Sequence, residues 1–283
     1  MFPKSKVSAA LERPTFSTGF VVVVLKSSQR RQGAKLRKKE HLMSDNTLKG
    51  KRYVVFGGSS GIGLASAEAL IAKGALVTLV ARSSKNLVDA ARALGAAATT
   101  AVMDIADEEA MKEFFAQEIL YDGVVSTAGE TPPGALDELD TKSAKKGFDS
   151  KFWGQYFVVK YGRKRLKEHG SIVLSSGVFS IRPRHGVGVL AAVNGAVDSF
   201  VRAMAVELAP LRINAIAPGF IDTPRLKKVS GRDPAAFEER LKTQVPLKRV
   251  GEIHEAAESV LYLLTNSYTT GIILYIDGGI TLR

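Results

Sequence analysis

Between Tyr53 and Leu70 the chain reads Tyr-Val-Val-Phe-Gly-Gly-Ser-Ser-Gly-Ile-Gly-Leu-Ala-Ser-Ala-Glu-Ala-Leu, and few folds accommodate such a run. Four β-prone residues, Tyr53 to Phe56, predict a buried strand. The small residues after the glycines predict a helix lying close to it. Gly57 allows a tight turn out of the strand, Gly61 lets backbone approach a pyrophosphate, and Gly63 lets the helix pack near the sheet. Ser59, Ser60 and Ile62 complete the turn, and the unpaired N–H groups of the helix start would face phosphates. An ordinary strand–helix connection can also be glycine-rich, so the rest of the chain has to decide.

The next apolar run, Leu76 to Ala81, reads as a second buried parallel strand and ends at Arg82-Ser83-Ser84. In a dinucleotide fold an acid at this point binds the free ribose 2′-hydroxyl, whereas an arginine accommodates a 2′-phosphate. Arg82 and Ser83, with no acid beside them, predict NADP(H) over NAD(H); a solvated arginine in a turn is the plain alternative. A helix over Asn86–Leu94, a strand over Thr99–Met103 closed by Asp104-Ile105, a helix over Asp107–Ile119 and a strand over Gly123–Ser126 stopped by Thr127-Ala128-Gly129 continue the alternation. Short loops between alternating strands and helices imply right-handed crossovers and a parallel sheet covered on both faces, a doubly wound α/β domain. Beyond a proline-rich loop at 130–137, the pattern predicts a helical stretch over Thr141–Glu168, broken near Gly147, and a strand over Ser171–Ser175. A helix over Val189–Leu208 and a strand over Ile213–Ala217 follow. Phe220–Pro246 is polar and reads as a mobile lid with a short helix. Helix Glu252–Leu264 and strand Ile272–Ile276 close the chain.

The absence of cysteine excludes disulfides, thiolate metal sites and cysteine nucleophiles, and with four histidines, none in a close pair, no metal site is expected. A net charge of +12 suggests nucleic acid until it is located. Residues 1–42 carry ten Lys or Arg against Glu12 and Glu40, which leaves +4 for the remaining 241 residues. Nucleic acid is therefore not an expected partner. The apolar run Phe20–Leu25 is too short to span a membrane. Residues 1–42 are expected to be a disordered extension, with Met43 opening a folded body over 43–283 and an organelle-targeting segment as the alternative. A cytoplasmic location and a small-molecule substrate are the corresponding expectations.

Over residues 48–283 the chain resembles the short-chain dehydrogenase/reductase family. Gly57, Gly61, Ile62 and Gly63 look like its cofactor turn, and Asp104-Ile105 resembles the pair that contacts adenine. Thr127-Ala128-Gly129 stands where the family has Asn-Ala-Gly. Ile213 to Gly219, with Pro218 and Gly219 at its end and then Ile221-Asp222-Thr223, resembles the segment lining the nicotinamide, and Gly271 with Asp277-Gly278-Gly279 is similar to the C-terminal signature. The resemblance implies a seven-stranded doubly wound (Rossmann) sheet, nicotinamide-cofactor binding and a homo-oligomer, usually a tetramer.

The family's chemistry rests on Asn, Ser, Tyr and Lys. Ser176 matches the serine that hydrogen-bonds the substrate carbonyl, but Lys151 stands at the asparagine, Leu190 at the tyrosine and Asn194 at the lysine. No alignment slip rescues the pair, since Tyr156-x-x-x-Lys160 precedes the Ser176 strand and reads as packing and interface. In the family the lysine holds the nicotinamide ribose and lowers the tyrosine pKa. Loss of a general acid costs about 10²–10⁴ in rate, so hydride transfer survives if a proton comes from elsewhere. Lys151 is the ionisable substitute at a recognised position, with holding a backbone carbonyl as its plain alternative. His185 is a second candidate, Arg182 and Arg184 could bind an anion, and a Ser176–His185–Asp198 triad lacks the nucleophile-elbow pattern. The leading expectation is an NADP(H)-binding oxidoreductase acting on a small carbonyl or alcohol, an imine or an activated alkene. The alternatives are a nucleotide-binding sensor or partner subunit without turnover, and non-redox catalysis in the same pocket.

Overall fold

In the computed structural model, residues 47–229 and 233–283 are described, so the expectation for the basic head lies outside the described residues. Seven parallel strands form one sheet in the order β3-β2-β1-β4-β5-β6-β7. They are β1 (Arg52–Phe56), β2 (Leu76–Ala81), β3 (Ala98–Val102), β4 (Tyr121–Ser126), β5 (Leu166–Ser175), β6 (Arg212–Pro218) and β7 (Ile273–Ile276). The helices between them are α1 (Gly61–Ala72), α2 (Ser84–Leu94), α3 (Glu108–Phe114), α4 (Thr141–Phe148), α5 (Gly154–Gly162), α6 (Gly188–Glu207), α7 (Pro224–Val229), α8 (Pro234–Gln244) and α9 (Ile253–Thr265).

Alternation along β1 separates two core layers. Val54 and Phe56 point into a layer with Met111, Val158, Ile172, Leu174, Val197 and Val201, while Tyr53 and Val55 point into one with Leu70, Leu79, Leu87, Val260 and Leu263. Each face must be covered because both are apolar, and helices on the two sides cover it. The result is the doubly wound α/β sheet that the motif alternation predicts. Helix α6 is long and apolar enough to cross a membrane by length and composition. Its buried face includes Asn194 and Asp198 beside Val193, Val197 and Val201 and lies in the folded domain.

The strand order reverses between β1 and β4, and in such sheets ligands bind outside the carboxyl ends of the strands at that reversal. The glycine turn leaves β1 there and Thr127 to Gly129 leave β4 there, so the fold itself brings the two motifs together.

Two boundaries differ from the sequence reading for one shared reason. Helix α3 stops at Phe114 rather than Ile119, and the helical stretch from Thr141 ends at Gly162 rather than Glu168. Arg165 donates from Nε to the carbonyl of Phe115 (2.8 Å) and from Nη2 to that of Ala116 (2.8 Å), capping the end of α3. Immediately after it, Leu166 enters the core and pairs with Tyr121, which starts β5 five residues before Ser171. The polar segment 220–246 holds two helices, α7 and α8, where one short helix was expected.

Candidate active site

The carboxyl ends of β1, β2, β4, β5 and β6 surround a cavity of about 730 Å³. One half of it is built from backbone. Helix α1 begins after Ser60, whose side chain makes no capping bond, so the N–H groups of its first turn face the cavity without a side-chain partner. Gly61 has φ +59° and no atom within 4 Å of where a Cβ would stand, which leaves its face open. Gly63 does not line the cavity but sits behind it: a Cβ would stand 2.3 Å from the Gly57 carbonyl oxygen and 2.5 Å from Thr127 Oγ1. The absent side chain thus lets α1 lie against the turn. Gly57, Ser59, Ser60 and Ile62 line the cavity as expected, and Thr127 Oγ1 donates to the carbonyl of Phe56 (3.3 Å), tying the β4 loop to the β1 turn.

Arg82 and Ser83 reach the cavity from the end of β2, with Asp104 and Ile105 beside them. Arg82 and Asp104 approach to 3.9 Å, a loose, exposed pair. Ala128, Gly129, Pro218, Gly219, Ile221 and Thr223 complete the wall. An uncapped helix start, an open glycine face and an arginine at the second strand fit a nicotinamide dinucleotide.

The other half depends on side chains. Between α4 and α5 the helix widens into a π-turn, Asp149–Trp153, that carries Lys151; such turns insert a residue and re-aim side chains. Gln155 pins the turn to β5, donating to the carbonyls of Lys151 (3.0 Å) and Ser175 (3.1 Å) and accepting from the Ser175 N–H (2.8 Å). Gly129 makes room for the result, since a Cβ there would stand 2.9 Å from Lys151 Cα. Lys151 is only 7% exposed, and its Nζ donates to the Ser176 carbonyl (2.8 Å) and to Asn194 Oδ1 (2.7 Å). Burial, and then the charge of Arg225, lower its pKa to about 7, against a smaller opposing pull from Asp198.

Leu190 and Asn194 lie one turn apart on the cavity side of α6, both buried. Leucine offers no proton. Asn194, in the lysine's place, accepts from the amine that arrives from the opposite helix. Lys151 therefore holds a backbone carbonyl, its plain alternative, and keeps a position in the cavity wall as well. Ser176 Oγ donates to the carbonyl of Asn194 (3.2 Å), so its hydroxyl must turn before it can polarise a substrate oxygen. His185 is exposed and outside the cavity lining, and among the described residues no hydrogen bond joins Ser176, His185 and Asp198 into a triad. Tyr156 packs on Trp153, Phe157 and Phe200, while Lys160 pairs with Glu108 at 2.7 Å. The described residues hold no cluster of metal-ligating side chains.

Sequence reasoning missed Arg225, Lys228, Phe179 and Phe220 in the cavity wall. Arg184 lies over the rings of Phe179 (4.9 Å) and Phe220 (5.7 Å), whereas Arg182 stays outside the lining. For Arg225, whose partners Gly129 and Thr131 lie 96 and 94 residues away, the chain offers no local signal.

The family profile described as enoyl-(acyl carrier protein) reductase matches residues 57–281. The chain belongs to the short-chain dehydrogenase/reductase family. A human 3-oxoacyl-[acyl-carrier-protein] reductase is 32% identical over 240 residues, spanning 82% of this chain and 98% of that protein. Glucose and ribitol dehydrogenase homolog 2 of Arabidopsis thaliana is 31% identical, over 84% of this chain and 88% of its own length. Among solved structures, a small-chain dehydrogenase in complex with NADPH superposes with a TM-score of 0.72 at 34% identity, covering 83% of this chain and all of that one. The relatives place this short-chain dehydrogenase/reductase among oxidoreductases that use a nicotinamide cofactor.

Proposed function

We propose that the protein is an NADP(H)-dependent oxidoreductase acting on a small carbonyl compound or alcohol, an imine or an activated alkene, with the amine of Lys151 in charge of the proton. The observation that carries this reading is the placement of Lys151: it lines the cavity, its Nζ bonds the Ser176 carbonyl and Asn194 Oδ1, and burial lowers its pKa to about 7.

Gly57 to Ile62 would hold the pyrophosphate, Arg82 and Ser83 a 2′-phosphate, and Asp104 and Ile105 the adenine. Thr127 to Gly129, Asn194, Pro218, Gly219, Ile221 and Thr223 would hold the nicotinamide end. A bound nicotinamide supplies or accepts the hydride. Two of the three ammonium protons of Lys151 are committed to oxygens, and the third is available to a substrate oxygen or nitrogen. An acid whose pKa lies near the working pH combines a populated protonated form with an easy proton release, and desolvation has brought this lysine there. Leu190 contributes an apolar wall where a phenol would otherwise stand. An imine or an activated alkene makes the smaller demand on such a donor. A small-molecule substrate, assembly as a dimer or tetramer and a cytoplasmic location belong to the same proposal.

A panel of aldehydes, ketones, imines and enones mixed with the full chain and NADPH, followed by NADPH absorbance, tests the proposal. Turnover of at least one class is expected. Tight NADPH binding with no oxidation across the panel would instead leave a cofactor sensor or partner subunit.

A further inference from the structure

The end of the cavity around Lys151 is positively charged. Arg225, on α7, reaches back across the opening and donates to the carbonyls of Thr131 (3.3 Å) and Gly129 (3.5 Å). Gly129 is the residue against which the Lys151 backbone and the base of its side chain pack, so the guanidinium bonds the carbonyl of a residue that Lys151 touches. Among the described residues both cations are held by neutral oxygens, with no carboxylate in hydrogen-bond or ion-pair contact. Arg184 and Lys228 face the same space. Of the two carboxylates among the described residues of the wall, Asp104 pairs with Arg82 at the other end and Glu130 lies on this side, in contact with neither Arg225 nor Lys151. Such an excess concentrates anions in a cleft and is relieved when one binds.

We infer that the substrate carries a carboxylate, which Arg225 receives on the Lys151 side of the cavity, with a flat apolar body against Phe179 and Phe220. The planar fork of a guanidinium matches a carboxylate with two parallel hydrogen bonds, and neutral carbonyls are the weaker partners it would exchange for it. Arg184, stacked on the two rings, holds the apolar platform in place. Burial is the main cause of the lowered Lys151 pKa, and the lesser contribution, repulsion from Arg225, is the part a bound anion would offset. This inference deepens the proposed function by naming the substrate class, and it uses the same cavity.

Calorimetric titration of the full chain, saturated with NADP+, separates it from that reading because no turnover is measured. The probes are two acids and their neutral amides: benzoate with benzamide, and 3-phenylpropanoate with 3-phenylpropanamide. We expect both acids to bind at least about tenfold more tightly than their amides. Arg225→Gln should reduce that preference below about threefold while NADPH affinity and Tm stay unchanged, and Arg225→Lys should retain part of it. Equal binding of acids and amides, no binding of either acid at millimolar concentration, or an undiminished preference in Arg225→Gln would overturn the inference. So would a loss of NADPH affinity in Arg225→Gln with the preference intact, because the arginine would then serve the cofactor phosphates. A preference for the acids without NADPH oxidation on any panel would leave the anion site standing and remove the oxidoreductase reading.

Discussion

The half of the cavity beneath β1, β2 and β4 is built largely from backbone, while the half between β5, α6 and the π-turn depends on the side chains of Lys151, Ser176, Leu190 and Asn194. The first half offers a cofactor backbone N–H groups, a glycine that must lack a Cβ and one arginine, all consequences of how the strands end. A change there disturbs the fold. The second half, in the proposed function, manages a proton, and a proton needs only one group of suitable pKa at a suitable place. Such a group can move from one helix to the helix opposite. Here Asn194 stands on α6 and the amine on the π-turn is that of Lys151, the two side chains joined by a 2.7 Å hydrogen bond.

The contrast breaks most visibly at Lys151. In Lys151→Met the reduction rate should fall by about 10²–10⁴ while NADPH affinity, read by fluorescence, stays intact. In the native chain the donor is the ammonium form, so reduction should be fast below about pH 7 and decline as pH rises through it; in the variant that step should disappear. A substitution behind the glycine turn should do the reverse. Gly63→Val places atoms where 2.3 Å separates a Cβ from the Gly57 carbonyl oxygen, so the turn must deform. The expected cost is about 1–3 kcal/mol, seen as a lower Tm together with weakened NADPH binding.

Smaller changes sharpen the comparison within each half. Arg82→Ala should weaken NADPH roughly tenfold and leave NADH unchanged if, as proposed, the arginine receives the 2′-phosphate that NADH lacks. Restoring the family's pair by Leu190→Tyr with Asn194→Lys should give no gain in ketone reduction, because the new ammonium lands beside that of Lys151 and like charges disfavour each other. Adding Lys151→Asn removes the conflict, and the triple variant should exceed the double by on the order of tenfold in kcat/KM. An equal rate in double and triple would mean that Lys151 is not what displaces the family lysine.

The two halves were unequally legible before folding. Strand alternation, the glycine turn, Arg82 and Asp104 point to residues that the structure brings to one cavity, because they stand at the ends of strands. Leu190 and Asn194 were legible by subtraction, through spacing from the helix that follows. Nothing in Asp149-Ser-Lys-Phe-Trp153 announces a π-turn; it arises when Gln155 is anchored to the end of β5, a contact twenty residues apart. Arg225 was equally hidden, because its approach to Thr131 joins residues 94 apart in the chain. The boundary between α5 and β5 depended on Arg165 reaching the end of α3. Long-range hydrogen bonds, rather than propensities, decided all three.

The account rests most heavily on an amine that titrates near neutrality at the meeting of the π-turn and α6. Nuclear magnetic resonance of the full chain labelled with ¹⁵N and ¹³C at the lysine side chains, titrated from acid to alkaline pH and compared with Lys151→Met, reads it directly. One Nζ/Cε signal should titrate at about 7 and be missing in the variant. If every lysine signal instead titrates near the ordinary value of about 10.4, the ammonium of Lys151 is a fixed structural cation and does not deliver the proton.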